Sequence, residues 1–129
     1  RPLVHATAKG RRSAGTNQVT CIARRAGLSD EEFLRLWHGD HRAVAIETQS
    51  TTGYVRNSIV RKLTPGAPGW DGIVEETFPL GALTDPKIFY GAKSDEDLRN
   101  RQRRMLESCQ RFLDFDRLEY THMSEYYLG

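Results

Sequence analysis

Two serine caps divide this chain into helical and extended parts. Ser29 precedes Asp30-Glu31-Glu32, a capping box in which the serine hydroxyl accepts from the third helical amide while Glu32 reaches back to the cap amide. Ser94 with Asp97 marks a second start. The first helix is expected from Asp30 to about Glu47. The second should reach about Leu113, with Leu98, Met105, Leu106, Cys109, Phe112 and Leu113 as its apolar positions.

Around these helices the pattern alternates as strands do. Residues 17–24 set Val19, Cys21 and Ala23 against Thr20 and Ile22, and Gly27 marks the turn that follows. Residues 54–61 set Val55, Asn57 and Ile59 against Tyr54, Arg56 and Ser58. Pro65-Gly66-Ala67-Pro68-Gly69 reads as a loop, and residues 70–78 as a third strand. Residues 79–91 read as broken helical turns interrupted by Pro86. Residues 116–128 form a last, tyrosine-rich strand with Leu118, Tyr120, His122 and Tyr126 on one face.

The order strand, helix, strand, strand, helix, strand predicts an α+β fold of the ferredoxin-like, split βαβ type. Its antiparallel four-stranded sheet would carry helices on one face only. The other face must be covered or it would be a large apolar patch, and two such sheets packed face to face give a homodimer. Residues 1–16 lack periodicity and are expected as an irregular arm ahead of one domain, residues 17–129.

Composition excludes several classes. The net charge is +2, and the basic residues are scattered or interleaved with acids, so nucleic-acid binding is not expected. No apolar run approaches the roughly 20 residues of a membrane span. The start Arg1-Pro2-Leu3-Val4-His5 lacks the apolar core of a secretory signal, and the missing initiator Met reads as trimming or processing. Cys21 and Cys109 have no C-x-x-C spacing and read as small hydrophobes in a reducing cytoplasm.

The chemistry centres on Trp37 and His41. Positions four apart share a helix face, so this aromatic and this imidazole lie together with Phe33 and Val44. His41 is either a general acid/base at an apolar cleft or a histidine satisfied by backbone at the helix–sheet seam. On the same wheel Asp40 falls towards the buried side, where an unpaired carboxylate is costly. Tyr54 and Asn57 lie on opposite strand faces, and either can position a substrate oxygen; Asn57 would donate from its amide.

Of Glu75 and Glu76, on opposite faces of one strand, one must point inward, with Arg56 or His122 as its expected partner. His122 and Tyr120 form a row that can line an aromatic-binding cleft. The sequence His38-x-Asp40-His41 lacks the H-E-x-x-H spacing of a helical zinc site, and no dinucleotide or phosphate loop occurs. No metal or other cofactor is expected.

Gly27-Leu28-Ser29-x-Glu31-Glu32-Phe33, Trp37-x-x-x-His41, Tyr54-Val55-Arg56-Asn57, Trp70-Asp71-Gly72-Ile73-Val74-Glu75, Phe112-Leu113-Asp114 and Met123-Ser124-Glu125-Tyr126 occur in this order. Together they resemble the EthD family of the dimeric α/β-barrel superfamily. Ala43 stands where such chains usually place a proline. The resemblance implies a homodimer of two sheets, with a cleft in each protomer for a hydrophobic, often aromatic or polyketide-like molecule. It is compatible with cofactor-free lyases, isomerases and cyclases, and with non-catalytic carriers. On this reading His41, Asn57 and Tyr54 carry the catalysis. Trp37, Phe33, Asp40, Glu75, His122 and Tyr120 would shape the substrate site.

Overall fold

The computed structural model describes residues 7–129, so the first six residues of the expected arm lie outside the described part. The fold is α+β and ferredoxin-like. Its main sheet contains β2 (Thr16–Arg24), β3 (Gly53–Ser58), β4 (Gly72–Phe78) and β5 (Leu113–Met123) in the order β3-β4-β2-β5. Every neighbouring pair is antiparallel. A small second sheet pairs β1 (Arg11–Arg12) with β6 (Tyr126–Tyr127), so part of the stretch expected to be irregular is a strand.

The last strand is shorter than its alternation implied. It begins at Leu113, three residues early, and breaks after Met123. At the break Glu125 accepts from the Ser13 hydroxyl and the Asn17 amide, tying the N-terminal segment to the C-terminal one.

The first helical stretch starts as α1 (Asp30–Arg35), capped by Ser29 Oγ, which accepts from the Glu32 amide at 3.1 Å. The reciprocal half of the expected capping box is not made. Glu32 instead pairs with Arg35, at 2.6 Å. The chain then passes through one π-helical segment, Leu36–His41, into α2 (Arg42–Thr48). A straight α-helix would drift by about 40° at each four-residue step. The wider π turn absorbs that drift. Phe33, Trp37, His41 and Ala45 are therefore all buried, and Val44 is displaced from the face expected for it.

Two short elements follow β4, a 3₁₀ turn (Leu80–Leu83) and α3 (Pro86–Tyr90). Asp85 caps α3, and Phe89 stacks on Phe78 with ring centroids 4.2 Å apart. The long helix α4 (Asp95–Gln110) starts at Ser94, whose hydroxyl accepts from the Asp97 amide.

The core residues Ile22, Tyr54 and Val74, with the partly buried Leu118, belong to one face of the sheet and meet Phe33, Leu36, Trp37 and Ala45. Full burial of a large apolar side chain such as Ile22 contributes about 1.5–3 kcal/mol. Gly72 is fixed by the same packing, because a Cβ there would lie 2.4 Å from the Trp37 indole. Val19, Cys21, Val55, Asn57, Ile73 and Glu75 occupy the other face.

Candidate functional site

Between the helices and the sheet lies a cavity of about 160 Å³. Strand register organises its floor. Tyr54 on β3, Glu76 on β4 and Gln18 on β2 stand side by side in one cross-strand row. Two residues along, the next row holds Val74, Thr20 and Tyr120, and beyond it come Ile22 and Leu118. The roof is helical, with Trp37 and His41 from the π segment, Gln49 just after α2, and Met105 and Cys109 from α4. The cavity is thus polar at the Tyr54–Glu76–Gln18 end and apolar towards Ile22, Leu118, Phe112 and Leu113. Tyr120, 63% exposed, stands at its mouth.

His41 is 6% exposed, and its Nδ1 lies 2.8 Å from Ser108 Oγ on α4. Its ring also packs on Phe112 at 4.8 Å. Burial disfavours the charged imidazolium and lowers the pKa to about 4, so at neutral pH His41 is neutral. Nδ1 is engaged by Ser108, which leaves Nε2 as the second ring nitrogen. The seam contact is therefore with a serine side chain, where a backbone carbonyl was one expectation.

Glu76 is the inward carboxylate of the pair. It is 7% exposed, and its Oε2 has no hydrogen-bond partner among the described residues. Burial pushes its pKa up to about 7. The partners expected for it are occupied elsewhere. Arg56 donates to the His38 carbonyl at 2.9 Å and lies over the Tyr54 ring, while His122 Nδ1 meets Thr16 Oγ1 at 3.2 Å.

The Tyr54 hydroxyl is buried and unpartnered too, and the nearby Trp37 indole does not reach it in hydrogen-bond geometry. Desolvation first, and the Glu76 charge second, raise the phenol pKa, so it remains a proton donor. Gln49 Oε1 is the third lining oxygen without a partner. Buried polar atoms are rarely left unmatched, and these three surround one cavity.

The remaining expected site residues fall elsewhere. Asn57 is exposed on the opposite sheet face and donates to Glu75 Oε2 at 2.9 Å, so neither residue faces the cavity. Asp40 is not on the buried side; the π segment turns it outward, where it pairs with Arg111 at 3.1 Å and Arg35 at 3.8 Å. Phe33 is buried behind the wall, 5.5 Å from Trp37 and 5.9 Å from Phe112, and holds both rings in place. His122 is half-buried beside Gln18 without lining the cavity. Gln49 and Gln18 were missed, and of the two carboxylates weighed Glu75 was assigned to the site where the register of β3 and β4 sets Glu76 beside the inward Tyr54.

Among the described residues no three His, Cys, Asp or Glu side chains gather in a way that could hold a metal ion. No helix among them is long and apolar enough to cross a membrane.

Residues 25–116 match the family model of the EthD domain. The ensemble-refined crystal structure of At3g17210 from Arabidopsis thaliana is similar over 88% of this chain and 98% of that one, with TM-score 0.52 and 15% identity. The solution structure of the hypothetical Arabidopsis thaliana protein At3g17210 is similar over 89% of each chain, with TM-score 0.46 and 16% identity. At this identity the likeness to the crystal structure is one of fold. No curated protein matches the sequence.

Proposed function

The chain belongs to the EthD family, and from that premise we propose that it is a cofactor-independent enzyme of small-molecule metabolism. It performs lyase-, isomerase- or cyclase-type proton transfer on a hydrophobic, carbonyl-bearing compound. One observation carries this reading: His41 and Tyr54 line one largely apolar cavity, each with a polar atom left for a ligand. The phenol donates to the substrate oxygen, and the imidazole shares a proton with that oxygen through Nε2. Trp37 forms the apolar wall against which the carbon skeleton rests.

The cavity volume supports a compact substrate. Apolar protein cavities of about 150 Å³ accept a single benzene ring. A ring fits the interior, and a longer polyketide-like chain would have to leave past Tyr120.

The working form is a homodimer. The sheet face opposite the helices carries Val55, 51% exposed, and Met123, 48% exposed, together with Val19, Cys21 and Ile73; a second copy of this sheet is the occupant that matches it. Sedimentation at micromolar concentration tests this, with a dimer expected and a monomer counting against it. Cys21 and Cys109 are both free thiols, which supports a reducing, cytoplasmic setting.

A second reading is favoured by the same low His41 pKa, since an imidazole that resists protonation is a weak base and suits a non-catalytic carrier. Assays of compact aromatic ketones and 1,3-dicarbonyl compounds with wild type, His41→Ala and Trp37→Ala separate the two. An enzyme keeps its affinity and loses turnover by about 10²–10⁴ in His41→Ala. A carrier shows no turnover in any form and loses affinity in Trp37→Ala.

A further inference from the structure

Proton transfer at a carbonyl compound has two ends, and His41 with Tyr54 accounts only for the oxygen. A carbon-bound proton also needs an acceptor inside the cavity. The cavity lining contains no lysine or arginine, and its other groups are poor candidates. The Cys109 thiol is pushed up to about 12 by burial, first, and by the Glu76 charge, and Met105 and the glutamines are not bases.

We propose that Glu76 is the base that removes a proton from the carbon next to the substrate carbonyl, and that it returns the proton to carbon in the second half of the reaction. The inference rests on the reading of the cavity as a proton-transfer site, and deepens it. Three observations place the group. Glu76 is 7% exposed and lines the cavity, its Oε2 is unpartnered, and it is the register neighbour of Tyr54, the oxygen-positioning residue. Directly opposed side chains on antiparallel strands start from Cβ atoms about 4.5–5.5 Å apart. One small molecule can therefore meet the phenol and the carboxylate with adjacent atoms.

The step balances without a co-reactant. The C–H bond breaks and an O–H bond forms on the Glu76 carboxylate. The C–H electron pair becomes the carbon–carbon double bond of the enolate, and the carbonyl π pair moves onto oxygen. Tyr54 O–H and the neutral His41 imidazole hold that oxygen. Delivery of the proton to the same carbon gives exchange, and delivery to a conjugated carbon gives isomerisation.

The surroundings of Glu76 fit a base matched to neutral conditions. Tyr54 stands opposite it on β3, with Arg56 one row along, and His122 lies in the same row as Glu76 on β5, beyond Gln18. His41 from the π segment and Cys109 from α4 line the same cavity, and Tyr90 of α3 feels its charge. Of these Arg56 alone is a fixed cation, and it is held at the His38 carbonyl. Burial thus leaves the carboxyl half-ionised near pH 7, where a general base is most effective.

Deuterium exchange tests the proposal. Acetophenone and phenylacetone, each with one ring, are incubated in D₂O with wild type, Glu76→Gln and Glu76→Asp, and loss of the protons next to the carbonyl is followed by NMR. Wild type is expected to accelerate exchange, with a rate that rises through about pH 7 as Glu76 ionises. Glu76→Gln should lose about 10²–10⁴ of that rate, and Glu76→Asp should retain a pH-dependent part. Thermal melts check that both variants are folded, and the pH profile of Glu76→Asp carries the test if the glutamine variant is not. Exchange at the wild-type rate in Glu76→Gln, or a wild-type rate flat through pH 7, overturns the role of Glu76 alone. No acceleration of either ketone by wild type overturns the proton-transfer reading and this inference with it.

Discussion

Tyr54 and Glu76 stand opposite each other on adjacent antiparallel strands, and both the phenol oxygen and Glu76 Oε2 are buried without a hydrogen-bond partner. Left empty, such a pair costs stability, since each unsatisfied buried group forfeits about 1–3 kcal/mol. Tyr54→Phe should therefore raise the unfolding free energy or leave it unchanged, while weakening ligand binding. A melt and a ligand titration on one variant check both halves. A clear loss of stability would show that the hydroxyl is already satisfied.

Glu76 and His41 should give the protein two opposed pH dependences. Folded Glu76 holds its proton up to about pH 7, whereas its ordinary value is 4.5, so the folded state binds more protons in between and stability falls as pH rises through that window. His41 is the reverse. Its ordinary value is 6.5 and its folded value about 4, so the unfolded state binds more protons and stability rises with pH across that range. The slopes oppose each other between pH 4.5 and 6.5, each with a limit of about 1.4 kcal/mol per pH unit. Urea unfolding across this range should show a shallow profile for wild type. It should rise with pH in Glu76→Gln and fall in His41→Asn.

Gly72 and Gly39 should respond to alanine with opposite signs. A Cβ at Gly72 meets the Trp37 indole at 2.4 Å, and overpacking of this kind costs about 1–3 kcal/mol. A Cβ at Gly39 meets nothing within 4 Å, and in a helical segment alanine gains about 0.5–1 kcal/mol over glycine. Melting temperatures of the two variants, compared with wild type, read the difference directly.

Asp40 lies on the surface, half-exposed between Arg35 and Arg111. Exposed ion pairs of this kind contribute about 0–1 kcal/mol. Asp40→Ala should thus change stability by no more than that and leave ligand affinity unaltered. A large drop in affinity would return Asp40 to the site.

The topology was legible because each element announces itself locally. Ser29 and Ser94 do cap helices, and strands do form within the alternating stretches 17–24 and 70–78, although burial in the first does not follow the alternation. The pair Trp37 and His41 was legible for the same reason. Asp40 was misread because a uniform helical wheel has no place for the π turn, whose trace in the sequence is the strict four-residue spacing of Phe33, Trp37, His41 and Ala45. Glu76 was passed over because alternation leaves two faces equivalent until a helix packs on one. Register then decides that Tyr54, Glu76 and Gln18 share a row, and register is a property of paired strands that no single strand encodes.

If the cavity under Trp37 and His41 takes a compact carbonyl compound, titrating isotopically labelled protein with acetophenone should reveal it, with the Trp37 indole and the Gln49 side-chain amide as reporters. Saturable shifts are expected at these two groups and at their neighbours along the lining, with Asn57 on the far sheet face unmoved. Reporters that stay fixed at millimolar ligand, or shifts confined to the face that carries Asn57, would contradict it.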